Sequence, residues 1–325
     1  MSTNNITISE AIKEVLHDEM RKDSRLFIMG EDIGKWGGRD GITKGFIDEF
    51  GEERIRETPI NEELFVGIAL GAAQAGLRPI VEFAHGTLIT IAASDIFLSG
   101  IWSMMCTRTT MPSTIIRVRW GGGKVGGQLS IPFISQFFNF LGVVIISPST
   151  VQQAQGLLRT AFTSTGKVII FLEHWGLYKK LGQPTDADYK YPSGKAEYRR
   201  TGKDVTIITH AQMTDMAESA ADELKTQGVD VEILDLVSLK PLDTEKIKET
   251  SRKTKRLLIA DEEPLAGGGL YPIIENIARS SCPDIKIIKL GAANVPIPYG
   301  FGKYALPQKE DFIREILNLM TSTNN

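Results

Sequence analysis

The chain has 325 residues, 42% hydrophobic and 24% charged, with 37 basic against 40 acidic side chains and a formal net charge of -3. That balance excludes a disordered, collagen-like or fibrous polymer and leaves no electrostatic footprint for nucleic acid. Only Cys106 and Cys282 are present, which excludes a four-cysteine zinc or iron–sulfur site and suits a reducing compartment. No apolar run approaches the roughly 18 residues of a membrane span, so the expectation is a cytoplasmic protein that binds neither nucleic acid nor membrane.

In chain order, Ser9 to Arg21 reads as a helix and Arg25 to Met29 as a strand. Glu62 to Ala75 is helical, Pro79 to Phe83, Thr114 to Val118 and Val143 to Ile146 are extended, Thr150 to Ser164 is helical and Val168 to Leu172 is extended. These apolar runs lack strict alternation, the pattern of strands buried on both faces, and Ser, Thr or Asn stands ready to cap the helices. A polar, turn-rich interval from Gly176 to Gly202 interrupts the rhythm. It resumes with strands at Val205 to Thr209, Val231 to Leu236, Arg256 to Ala260 and Ile285 to Leu290. Helices alternate with them at Met213 to Thr226, Asp243 to Thr254 and Leu270 to Arg279, and Asp311 to Met320 closes the chain. The alternation predicts an α/β fold of two doubly wound domains with mainly parallel sheets, residues 1–185 and 203–325, joined by a linker over 186–202.

Three features invite a functional reading. Gly121-Gly122-Gly123-Lys124-Val125-Gly126-Gly127 follows a strand, but Val125 stands where a Walker loop needs Ser or Thr, and Pro132 breaks the helix that a dinucleotide fingerprint requires. The loop is a surface turn or the rim of a site mouth. His17, His85, His174 and His210 lack metal-ligand spacing. His85 alone follows the carboxyl end of a strand, Ile80-Val81-Glu82-Phe83, where open α/β sheets bind ligands. Asp261-Glu262-Glu263 ends the strand Leu257 to Ala260, and a solvated interface or helix-capping role is favoured there over catalysis.

Thr58-Pro59-Ile60-Asn61-Glu62, Gly67-Ile68-Ala69-Leu70-Gly71-Ala72-Ala73 and Gly76-Leu77-Arg78-Pro79 resemble the beta subunit of the thiamine-diphosphate-dependent first component of 2-oxo acid dehydrogenases, the pyruvate, branched-chain and acetoin enzymes. Phe27-Ile28-Met29-Gly30-Glu31-Asp32, Gly41-Ile42-Thr43-Lys44-Gly45, Ser147-Pro148-Ser149, the block Val229 to Pro241 and Val295-Pro296-Ile297-Pro298-Tyr299 follow in family order, so the resemblance covers nearly the whole chain. Around Trp36-Gly37-Gly38 the acetoin branch is the closest. The resemblance implies a pyrimidine-binding domain followed by a transketolase C-terminal-like domain. It implies that Glu62 hydrogen-bonds the aminopyrimidine ring of thiamine diphosphate and promotes its imino form. The residue pattern agrees: Asn61 is a cap, and Leu64, Phe65, Ile68, Ala69 and Ala72 form an apolar stripe that would bury the helix and point Glu62 into a site. The Gly-Asp-Gly motif that holds magnesium and the diphosphate is missing, as it belongs to the family's alpha chain. The resemblance therefore implies a heterotetramer of two alpha and two beta chains, inactive as beta alone, with a lipoyl-bearing acyltransferase as a further partner.

Departures from the family pattern matter as much. The family's His-Ser-Gln triplet corresponds to Leu129-Ser130-Ile131, so one histidine position falls on Leu129, and a second falls on Asn139. Neither side chain handles protons near neutral pH. The aromatic residue near the pyrimidine falls on Leu88 and a polar one on Ile91. The family's monovalent cation site, potassium being the implied ion, maps to backbone carbonyls of Ala161, Ser164 and Gly166. Three readings follow: a dehydrogenase subunit feeding a lipoyl partner, with His85 in the vacated role; a two-chain thiamine enzyme of acyloin or ketol transfer; or a non-catalytic assembly subunit, against which Glu62 argues.

Overall fold

The computed structural model describes residues 5–105, 111–123, 125–297 and 299–321, so that Cys106, Lys124 and Pro298 lie outside the described residues. The chain divides into two compact units, residues 1–120 with 139–193 and residues 121–138 with 194–325.

In the first unit, runs rich in Ile, Val, Leu and Phe form β1 (Leu26–Gly30), β2 (Ile55–Glu57), β3 (Arg78–Phe83), β4 (Thr114–Trp120), β5 (Val143–Ile146) and β6 (Val168–His174). They pair in the order β5-β6-β4-β3-β1-β2, all parallel. Every residue of β1 and β6 is buried, as in a sheet with helices on both faces. The longer helices are α1 (Ile8–Lys22), α2 (Glu62–Gln74), α3 (Ala93–Met105) and α4 (Val151–Thr163). Thr7 opens α1 with a capping box: its hydroxyl accepts the Glu10 N–H at 3.2 Å while the Glu10 carboxylate accepts the Thr7 N–H at 2.8 Å. Sequence periodicity does not reveal α3. Its residues are apolar on more than one side, and Phe97, Leu98, Trp102, Met104 and Met105 stay exposed.

The second unit is a five-stranded sheet of β7 (Glu197–Arg200), β8 (Val205–Thr209), β9 (Val231–Asp235), β10 (Arg256–Pro264) and β11 (Lys286–Ala292), in the order β11-β10-β8-β9-β7. Only β7 pairs antiparallel to its neighbour. Its longer helices are α5 (Gln212–Thr226), α6 (Thr244–Thr254), α7 (Leu270–Ser281) and α8 (Lys309–Thr321). Val205, Ile207, Ala217, Leu224, Ile233, Leu258, Phe312 and Ile316 interlock as its core. An α/β class with mainly parallel sheets is thus what the alternation predicts.

Two placements differ from the sequence reading. The interval read as a linker contains β7, whose half-buried Glu197, Arg199 and Arg200 make a charged edge that gives no apolar run to recognise. Residues 121–138, read within the first domain, belong to the second unit. There the Gly122 N–H donates to Glu262 Oε2 at 3.0 Å, the Ile134 N–H to Glu263 Oε1 at 2.7 Å, and Lys240 Nζ to the Phe138 carbonyl at 2.8 Å. The acidic triplet is correspondingly neither solvated nor a helix cap. β10 continues through it to Pro264, and Asp261, Glu262 and Glu263 are all buried. Backbone amides of the 121–138 segment take the place of water at two of these carboxylates.

Candidate functional site

Strands β1 to β6 run parallel, so their carboxyl ends share one edge, where open α/β sheets bind ligands. Glu31 follows β1 directly, Glu62 opens α2 after β2, and His85 lies two residues past β3. Asn61 caps α2 as expected, its Oδ1 accepting the Leu64 N–H at 3.0 Å. The buried side of α2 carries Glu62, Phe65, Val66, Ala69, Leu70 and Ala73, with the Phe65 ring 5.4 Å from that of Phe83 on β3. Glu62 is only 5% exposed, whereas Glu63 faces outward. The expected stripe needs correction, because Leu64 and Ile68 are 54% and 46% exposed. Val66 and Leu70 take the buried face instead. The helix carries two apolar sides, one buried and one exposed, and it packs against α3.

Beside Glu62, the Glu31 carboxyl is pushed above its ordinary range by burial and then by the charges of Glu62 and Asp32. Its Oε1 is buried without a hydrogen-bond partner. Deeper in the sheet, Arg117 is fully buried between two carboxylates. Its Nη1 lies 2.5 Å from Glu82 Oε2, and Nε and Nη2 lie 2.6 and 2.9 Å from the two oxygens of Glu173, which also accepts the Tyr178 hydroxyl at 2.8 Å. Above this network a cavity of about 10 Å³ is lined by Arg39, Asp40 and Arg119, with Arg119 Nε 2.5 Å from Asp40 Oδ2. His85 feels the same group. Burial, Arg39 and Arg119 lower its pKa against the pull of Asp40, leaving a neutral imidazole able to accept a proton at pH 7. Sequence reading passed over these residues, although a charge inside the apolar run Thr114 to Val118 signals a paired, buried ion.

Leu88 is half-buried in the 3₁₀ turn Gly86–Thr90, and Ile91, just after it, is half exposed. Leu129 is half-buried in the turn Gly127–Ser130 of the second unit, whereas Asn139 is exposed and belongs to the first. At the end of α4, the Ser164 N–H donates to the Ala161 carbonyl at 3.2 Å and the Gly166 N–H to the Met111 carbonyl at 2.8 Å, Gly166 being left-handed at φ 59°. The neighbouring Phe162 carbonyl accepts a hydrogen bond from Arg78, which sets a positive charge against the negative end of α4. Among the described residues, no group of three or more His, Cys, Asp or Glu side chains could hold a metal, and no helix is long and apolar enough to cross a membrane.

A family model for the transketolase pyrimidine binding domain matches residues 4–180, and one for the transketolase C-terminal domain matches residues 194–311. The chain is 33% identical over 319 residues to "Pyruvate dehydrogenase E1 component subunit beta-1, mitochondrial" of Arabidopsis thaliana, covering 95% of this chain and 88% of the relative. It is 36% identical to "Pyruvate dehydrogenase E1 component subunit beta" of Cyanidium caldarium, covering 96% and 97%. The protein of that name from Rickettsia felis is 31% identical, with 96% and 97% covered. Among solved structures, a chain described as "Split gene transketolase, inactive beta4 tetramer" superposes with a TM-score of 0.78 at 19% identity over 98% of this chain and 99% of the other, a likeness of fold.

Proposed function

This chain belongs to the family of thiamine-diphosphate-dependent 2-oxo acid dehydrogenase beta subunits, and from that premise we propose that Glu62 is its catalytic carboxylate. The observation that carries the proposal is the burial of Glu62 on the capped first turn of α2, at the carboxyl edge of the sheet, beside the orphan oxygen of Glu31. An unpaired buried acceptor suits the N–H groups of an aminopyrimidine, and Leu88 and Ile91 supply apolar surface for a ring to pack on. Thiamine diphosphate, when bound, supplies the carbon acid and the electron sink for decarboxylation. Glu62 holds a proton at the pyrimidine ring nitrogen, and His85 accepts one during acyl transfer.

The family works as a heteromer with an alpha subunit. We place magnesium and the diphosphate on that subunit, in a heterotetramer of two alpha and two beta chains, with a lipoyl-bearing acyltransferase as acyl acceptor. The exposed Leu64, Ile68, Leu98, Trp102 and Met105 on α2 and α3 support a protein contact on these helices. A monovalent cation, potassium first, is proposed at the carbonyls of Ala161, Ser164 and Gly166, and the compartment is proposed to be the cytoplasm. One observation favours a second reading, acyloin or ketol transfer: Leu129 and Asn139 offer no imidazole where the resemblance implies two.

Co-purification with the alpha subunit, followed by turnover of a 2-oxo acid with thiamine diphosphate and magnesium, tests both. Acylation of a lipoyl domain is the expected result. Carbon–carbon product from an added aldehyde without lipoyl acylation would replace the first reading by the second, and no turnover with either acceptor would overturn both.

A further inference from the structure

We propose that Arg39 and Arg119 form an anion site at the carboxyl edge of the first sheet and that it takes a distal, non-reacting carboxylate of the 2-oxo acid, a proposal that rests on the thiamine-dependent reading of that edge.

Arg39 and Asp40 stand at the tip of the loop 32–44, which leaves β1 and is tied down along its length. The Gly38 N–H donates to the Asp32 carbonyl at 2.8 Å and the Thr43 N–H to the Gly37 carbonyl at 3.0 Å. The fully buried Thr43 hydroxyl donates to the Ile33 carbonyl at 2.9 Å. Glu57, at the end of β2, accepts the Gly34 and Lys35 N–H groups at 3.1 and 3.3 Å. Gly38, at φ 75°, approaches Glu82 so closely that a Cβ there would fall on Oε1 of that carboxyl. The tip is thus fixed against the sheet edge, and a charge held in place loses less freedom on binding than one on a loose loop.

The charges at this rim do not cancel. Asp40 pairs with Arg119, whose Nε still lacks an aligned hydrogen-bond acceptor. The exposed Arg39 has no ion-pair partner among the described residues. His85 registers the excess: after burial, Arg39 and Arg119 act on it ahead of Asp40. Two cations against one anion leave a single positive charge, which matches one carboxylate, and a guanidinium binds a planar carboxylate through two parallel hydrogen bonds. The cavity beneath, about 10 Å³, has room for a water and no more, so the carboxylate sits above it on the outer guanidinium groups. The carboxylate that leaves as carbon dioxide is a poor occupant, because cations would stabilise in the ground state the charge that decarboxylation must disperse. A carboxylate retained through the reaction meets no such conflict. Only β3 separates β4, which carries Arg119, from β1, which leads into Glu31, so the two strand ends lie about 10 Å apart, the scale of a small molecule.

In the complex with the alpha subunit, kcat/KM for 2-oxoglutarate should exceed that for 2-oxopentanoate, which lacks the distal carboxylate, by about tenfold or more. Arg39→Gln should shrink that ratio by roughly 10- to 100-fold. A wild-type preference for 2-oxopentanoate, or an unchanged ratio in Arg39→Gln, would overturn the proposal. A second measurement needs no turnover: NMR titration of the His85 imidazole in the full chain, with glutarate or with sodium chloride at equal ionic strength. Glutarate should shift the His85 titration to higher pH, since a bound anion favours the imidazolium, and Arg39→Gln should abolish the shift. Equal titrations in glutarate and chloride would overturn the anion site. Turnover of neither acid would remove the thiamine-dependent reading, and the titration would then decide the anion site alone.

Discussion

Glu62 acts electrostatically on Glu31 at the carboxyl edge of the first sheet: the charge of Glu62 raises the carboxyl of Glu31, already lifted by burial, and Glu31 Oε1 finds no donor. One loop ends and one helix begins there, and the two acids come from segments that share no local sequence signal. A site rich in acceptors is destabilising when empty of donors, which is the usual signature of a place kept for a ligand rather than for stability.

Glu62→Gln should lower turnover of the complex with the alpha subunit by roughly 100- to 10,000-fold, because an amide keeps the shape and cannot hold the transferable proton. Steady-state decarboxylation measures it. A variant that retains more than a tenth of wild-type turnover, with its fold intact by circular dichroism, would remove Glu62 from the mechanism.

Glu31→Gln should raise stability toward alkaline pH. The Glu31 pKa is raised in the folded chain, so its contribution is complete in acid and is lost as pH rises through the raised value. The urea midpoint of the variant should exceed that of the wild type at pH 8 and converge with it near pH 4. Parallel profiles would show that the orphan oxygen has found a partner.

His85→Ala should depress lipoyl acylation and remove the acid limb of its pH profile, since the half-buried, neutral imidazole is lost. Leu129→His, which supplies the imidazole that the resemblance implies at this position, should then recover part of the rate. A silent His85→Ala alongside a faster Leu129→His would move the proton-handling role away from His85.

Arg117→Met should cost about 3–5 kcal/mol in chemical denaturation, because it leaves Glu82 and Glu173 buried without their cation. Combining it with Glu82→Gln and Glu173→Gln should return much of that loss. No recovery in the triple variant would mean that Arg117 acts by packing, through the length of its side chain, rather than by charge.

Much of this was legible in the residues, and the failures have physical causes. Fully apolar strands and the Asn61 cap announce themselves locally, so α2 and its buried glutamate follow from sequence. The inward face of α2 does not, because Leu64 and Val66 are equally apolar and only packing chooses between them. Arg117 is visible in the sequence, but its partners are 35 and 56 residues away. The acidic triplet misleads for the same reason: three consecutive acids look solvated until amides from Gly122 and Ile134 arrive across the chain. β7 hides because edge strands keep charge to prevent further pairing.

Those two amide contacts also set an order of events during synthesis. Gly122 precedes Glu262 by 140 residues and Ile134 precedes Glu263 by 129. At about 5–20 residues per second, the segment waits on the order of ten seconds after leaving the ribosome before its carboxylates exist. Over that interval the first unit can close around both ends of an unanchored insert. A nascent chain stalled near residue 200 would carry the segment as a protease-sensitive loop, and the same loop would become resistant only once β10 is complete.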